Sequence, residues 1–127
     1  MRWLIALLLA APAAAQEVIS PEAFLDAVAG RTAHFVLAET GAPVGVERFL
    51  DRERTVWTRA DGRCALGVVR TRGAQICFWY DDEPDVPHCW LPYRDGDLHV
   101  RAVESGEVQR VARIDDAHVG CEGEPIS

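Results

Sequence analysis

From Arg31 onward the chain breaks into short hydrophobic runs separated by turn signals at intervals of about 9 to 12 residues, the spacing of an all-β meander. The signals are E-T-G-A at 39–42, D-R-E-R at 51–54, A-D-G-R at 60–63, T-R-G-A at 71–74, R-D-G-D at 94–97, E-S-G-E at 104–107 and Asp115-Asp116. Within the runs, Ala33, Phe35 and Leu37 alternate with Thr32, His34 and Val36, and Leu98, Val100 and Ala102 alternate with His99 and Arg101. Each such run has one apolar face, as a half-buried strand should. The connections are too short for parallel crossovers, so consecutive strands are expected to pair antiparallel. Ahead of them, Ser20-Pro21-Glu22 supplies an N-cap, a proline at the first helical position and an acid in the first turn. Phe24, Leu25 and Val28 then share a face and Gly30 is a stop, predicting a helix over roughly residues 21–29. Alone it is too short to be stable and must dock on something apolar. The expected fold is mostly β: an antiparallel meander of about eight strands, a small barrel or a strongly curved sheet, with this helix as a lid.

The chain is organised around residues 75–94, Q-I-C-F-W-Y-D-D-E-P-D-V-P-H-C-W-L-P-Y-R, which read as a β-hairpin with a long acidic loop over 81–86. Cys77 and Cys89 are equidistant from a turn centre near Glu83, so regular pairing sets their sulfurs opposite each other for a disulfide. Phe78, Tyr80, His88 and Trp90 should share one face, with Asp81, Asp82, Glu83 and Asp85 at its end. These eight residues are the candidate binding surface. Both faces of the hairpin are sticky, and double burial, with the sheet interior on one side and the helix on the other, is preferred to an exposed surface.

The N-terminus belongs to export rather than to the fold. Met1-Arg2-Trp3, the apolar run Leu4–Ala11 and Ala13-Ala14-Ala15 form the n-region, h-region and cleavage site of a signal peptide over 1–15, leaving one small domain over 16–127. The apolar run falls short of the roughly 20 residues that span a bilayer. No cysteine follows the cleavage site, so lipid attachment is not expected. Four cysteines in such a chain read as two disulfides rather than a zinc site, since no pair has C-x-x-C spacing. With Cys77 joined to Cys89, Cys64 is left for Cys121. The destination is periplasmic or secreted.

Charge narrows the partners. The 20 acidic residues against 13 basic ones give a net charge of −7, and cleavage removes Arg2 but no acid. Such a surface repels phosphate backbones and anionic lipid, so neither nucleic acid nor a membrane surface is an expected partner. Lysine and asparagine do not occur, which excludes Schiff-base lysine chemistry and N-linked glycosylation.

No catalytic motif stands out. The serines after the cleavage site are Ser20, a helix cap, Ser105, in a turn, and the terminal Ser127, and no G-x-S-x-G elbow exists. His88 adjoins Cys89, but neighbours on a strand point to opposite faces. His34, His88, His99 and His118 lack metal-ligand spacing, and the acids at 81–85 lack the periodicity of a calcium loop, so neither metal nor cofactor is expected. A carboxylate pair for glycoside hydrolysis has no motif to single it out and little room for a cleft.

Trp57, Ile76-Cys77-Phe78 and Cys89-Trp90, with Cys64 and Cys121 outside them, resemble a group of small exported bacterial proteins without an assigned function. Those proteins share a tryptophan strand, an I/L-C-F strand and a partner strand opening with C or C-W. The resemblance spans roughly residues 30–121; it implies a compact two-disulfide β domain and no activity. The expected role is a monomeric binding or interaction module for a protein or a small apolar ligand. The alternatives are a small carboxylate-using hydrolase and a purely structural envelope protein.

Overall fold

A computed structural model describes residues 16–121; the signal peptide expected over 1–15 and the residues from 122 onward lie outside them. The elements are β1 (Glu17–Val18), α1 (Pro21–Val28), β2 (Thr32–Leu37), β3 (Pro43–Phe49), β4 (Arg54–Arg59), β5 (Cys64–Arg72), β6 (Gln75–Tyr80), β7 (Glu83–Asp95), β8 (Asp97–Ala102) and β9 (Val108–Asp115). Strands β2 to β9 pair antiparallel in sequence order, and β9 returns to β2, so the sheet closes into an eight-stranded barrel with β1 added at its side. Closure removes the sheet edges that an open meander would expose. Strand β7 is the long staple: Trp90 pairs with both Ile76 of β6 and Ala102 of β8. Beyond the reach of β6, its Tyr93 and Arg94 take Val18 and Glu17 of β1.

The helix forms as its sequence signals require. The Ala23 N–H donates to Ser20 Oγ at 3.0 Å, Pro21 opens the first turn, and Gly30 follows the C-cap at φ +74°, a conformation open to glycine. Phe24, Leu25 and Val28 are buried. Phe24 meets Phe49 edge to face, and Phe49 meets Phe78 in the same way, so the helix plugs one end of the barrel with an aromatic stack. Arg52, in the β3–β4 turn, bonds Asp26 and the Glu22 carbonyl from the same end. The turns β2–β3, β4–β5, β6–β7 and β8–β9 surround the other, unplugged end.

Both expected disulfides are present, Cys77–Cys89 from the hairpin symmetry and Cys64–Cys121 as the pair left over. The first joins directly opposed residues in the barrel wall. The second ties down a strap that crosses the outside of β2 to β5: Arg31 pairs with Asp116, Thr32 donates to the Ala117 carbonyl, and Arg48 meets His118. Val56, on the outer face of β4 between Arg48 and Leu66, is fully buried on the route of this strap.

Two expectations about the hairpin are corrected. The long loop over 81–86 is a two-residue turn at Asp81-Asp82, with β7 starting at Glu83. The register passes from Tyr80↔Glu83 to Phe78↔His88, so a bulge in β7, holding Pro84 and Pro87, takes up the extra residues. Cys77 and Cys89 still meet because the bulge lies wholly between them and the turn. The helix, moreover, does not cover the outer face of the hairpin; it packs inside the barrel against the face carrying Phe78. On the outer face Cys77 is buried while Trp79 stays half-exposed with Arg72 over its ring.

Candidate functional site

An eight-stranded barrel has an interior just wide enough either to fill with side chains or to hold one small ligand. Here the two halves differ. Near the helix the interior is filled by Phe24, Val28, Phe49, Val69, Ile76 and Leu98. Toward the unplugged end a cavity of about 260 Å³ remains, with Phe24, Phe35, Phe78 and Val100 at its base and Trp57, Tyr80, His88 and Trp90 as walls. Its polar groups are Glu47, Arg59, Glu83, Glu107 and Gln109.

The walls are positioned by glycine. Gly45 is paired with Arg59, beside Trp57, and a Cβ at Gly45 would meet the indole at 2.5 Å; a Cβ at Gly67 would meet Tyr80 Cε1 at 3.0 Å. Each ring thus lies flat on bare backbone, which a larger residue would lift away. The rings form a continuous run: Phe35 to Trp57 at 6.2 Å, Trp57 to Tyr80 at 6.5 Å, and Tyr80 to His88 at 5.7 Å.

Glu47 is the chemical centre of the cavity. It points inward from β3, opposite Ala33 on one side and Trp57 on the other, and is only 2% exposed. Tyr80 donates its hydroxyl to Glu47 Oε1 at 2.7 Å. Burial pushes the carboxyl up to about 8, against the opposing pull of the Tyr80 and Thr55 hydroxyls and the Arg59 guanidinium. At neutral pH it is therefore mostly a neutral acid. Burial also drives the Tyr80 hydroxyl well above its ordinary value, reinforced by the Glu47 charge and hydrogen bond. Glu47 Oε2, Thr55 Oγ1 and Arg59 Nη1 are buried without a hydrogen-bond partner of ordinary geometry. Leaving such groups unpaired costs about 1–3 kcal/mol each, so they are the groups with most to gain from a ligand.

The mouth is acidic. Arg59 is held by Asp82 at 3.1 Å, Glu83 faces His88 at 3.9 Å, and Gln109 donates to Glu107 at 2.9 Å. Of the candidate surface residues, Phe78, Tyr80, His88, Trp90 and Glu83 converge on this cavity and Asp82 reaches its mouth through Arg59. Asp81 instead accepts the Leu66 N–H, and Asp85 lies exposed in the bulge of β7. Sequence reasoning missed Glu47, Arg59, Glu107 and Gln109. The strand V-G-V-E-R-F misleads because the apolar Val46 faces outward while Gly45, Glu47 and Phe49 face in. The one usable signal was Phe49, which is two residues from Glu47 and therefore on the same face.

A broader depression of about 860 Å³ lies on the outside, flanked by Leu66, Val68, Trp79 and Pro84. It is larger but open, and no buried charge faces it, so the interior cavity is the better candidate. Among the described residues no group of three or more His, Cys, Asp or Glu is gathered to hold a metal, and no helix is long and apolar enough to cross a membrane. The two disulfides fit the small disulfide-containing β domain that the sequence resemblance implies. No family model, no curated protein and no solved structure matches the chain, so the site stands on its own geometry.

Proposed function

We propose that this is an exported small-ligand binding protein, a calyx whose unplugged end admits one compact molecule to the barrel interior. The observation that carries the reading is an unfilled cavity lined by a buried carboxyl, one oxygen of which lacks a hydrogen-bond partner of ordinary geometry. A protein selected only for stability would fill that space or neutralise that atom. Ligand pockets combine apolar and aromatic walls with a few placed polar groups, and this cavity does so. The disulfides support residence in an oxidising compartment, periplasmic or secreted, as does the resemblance to small exported bacterial proteins.

The test is a fragment screen followed by amide and indole chemical shifts. Binding should move Trp57, Trp90 and their strand neighbours, and should quench tryptophan fluorescence saturably. Shifts confined to Leu66, Val68 and Trp79 would instead make the protein an interaction module working through its outer face. A small carboxylate-using hydrolase is the second reading, favoured by one observation: Glu47 lines the cavity, where burial raises its carboxyl to about 8, toward the range a general acid needs. Turnover of a chromogenic glycoside or ester that disappears in Glu47→Gln would establish that reading.

A further inference from the structure

Resting on the calyx reading, we propose that the ligand is an organic ammonium ion with a flat or compact apolar body, its charge seated against Glu47 Oε2 and the faces of Trp57 and Tyr80. Three independent features point to a cation. The first is Glu47 Oε2, which lacks a hydrogen-bond partner of ordinary geometry on a side chain that is only 2% exposed and lines the cavity. An ammonium N–H donates to it in a charge-assisted bond, the strong kind. The second is the aromatic lining: cations are drawn to ring faces, most strongly to tryptophan and more so where water is excluded. The third is the approach. Asp82, Glu83 and Glu107 stand at the mouth, Arg59 is already paired with Asp82, and the net charge of −7 steers cations inward.

Rival ligand classes meet less of this. An anion could reach the unpaired Arg59 Nη1 but would have to pass the three carboxylates at the mouth and sit beside Glu47. A neutral molecule with an acceptor takes one hydrogen bond from protonated Glu47 and leaves the acidic mouth and the ring faces unused.

The proposal has a protonic signature. An ammonium holds Glu47 ionised, so each one bound near neutral pH displaces the carboxyl proton to solvent. The groups facing Glu47 are Tyr80 on β6, Thr55 and Arg59 on β4, His88 and Glu83 on β7, and Glu107 before β9. The pH dependence is read as the difference between wild type and Glu47→Gln, which isolates the Glu47 contribution from those of its neighbours.

The experiment compares three probes of one shape, benzylammonium, benzyl alcohol and benzoate, by calorimetry and tryptophan fluorescence from pH 6 to pH 8.5. At pH 8.5 benzylammonium should bind at least about tenfold more tightly than benzyl alcohol, with benzoate weakest. Its affinity should rise with pH, and calorimetry in buffers of different ionisation enthalpy should show proton release at pH 7. Glu47→Gln should bring amine and alcohol to similar affinity and abolish the proton release. If that variant fails to fold, the wild-type proton release and probe order decide alone. Benzyl alcohol binding as well as the amine would overturn the cation while leaving the calyx standing, and benzoate binding best would turn the site over to Arg59. A fragment screen in which no compound of any charge shifts the cavity residues would remove the calyx itself.

Discussion

Replacing Glu47 with Gln tests the buried acid directly, because the amide keeps the shape and the Tyr80 bond but cannot ionise. In the unfolded chain Glu47 titrates at its ordinary value of 4.5, and in the folded protein at about 8. Below 4.5 both states hold the proton and the group is indifferent to folding. Between 4.5 and 8 the folded state keeps a proton that the unfolded state has released, so stability falls as pH rises, by about 1.4 kcal/mol per pH unit. Above 8 both states are ionised and the full penalty is in place, on the order of 5 kcal/mol. Against a typical stability of about 5–15 kcal/mol that is a large fraction. The other shifted carboxylates, Asp51, Asp61 and Asp115, are lowered by hydrogen bonds and titrate below this window. Denaturant unfolding at pH 5, 6, 7, 8 and 9 should show wild type losing stability steadily while Glu47→Gln loses much less. The two should converge near pH 5 and differ by several kcal/mol at pH 9. Parallel curves would refute the argument, showing that the carboxyl is hydrated or paired in solution.

Removing Cys64–Cys121 releases a longer loop than removing Cys77–Cys89, so in the chain-entropy model it should cost ~4 rather than ~3 kcal/mol, while EDTA should leave the melting temperature unchanged. Gly67→Ala places a Cβ against Thr55 and Tyr80; it should destabilise by about 1–3 kcal/mol and shift the Tyr80 ring resonances. Ser20→Ala removes the bond to the Ala23 N–H and should cost about 1 kcal/mol by denaturant unfolding, loosening the plug without altering the cavity walls.

What could be read from the chain divides by the kind of signal that carried it. The helix was legible to within a residue because capping is local, with Ser20, Pro21 and Gly30 each acting on its nearest neighbours. The Cys77–Cys89 pairing survived a wrong loop because both sulfurs lie outside the bulge. Barrel closure was not legible, since the β9–β2 pairing joins residues such as Thr32 and Asp115 that no short-range pattern connects. Nor was the acid at the centre of the site. Glu47 breaks the rule that inward positions are apolar, and the breach is visible only once the neighbouring strands show which face is inward.

Whether the Glu47–Tyr80 pair serves the fold or the cavity can be decided by a double-mutant cycle. Glu47→Leu alone leaves the buried Tyr80 hydroxyl without its acceptor, and Tyr80→Phe alone leaves Glu47 Oε1 without its donor, so each single change should cost about 1–3 kcal/mol at pH 5. The double variant removes both members of the hydrogen-bonded pair together and keeps a similar shape, a change that is often neutral or stabilising. The cycle should therefore give a coupling of about 2–6 kcal/mol, the sum of the two single costs, with the double variant at pH 8 more stable than wild type because the ionisation penalty has gone as well. A pair retained for stability would behave in the opposite way, with the double variant the weakest of the four. If the double variant is instead the most stable, the wild-type protein carries a carboxyl that its fold would be better without, and ligand binding remains as the reason for its presence.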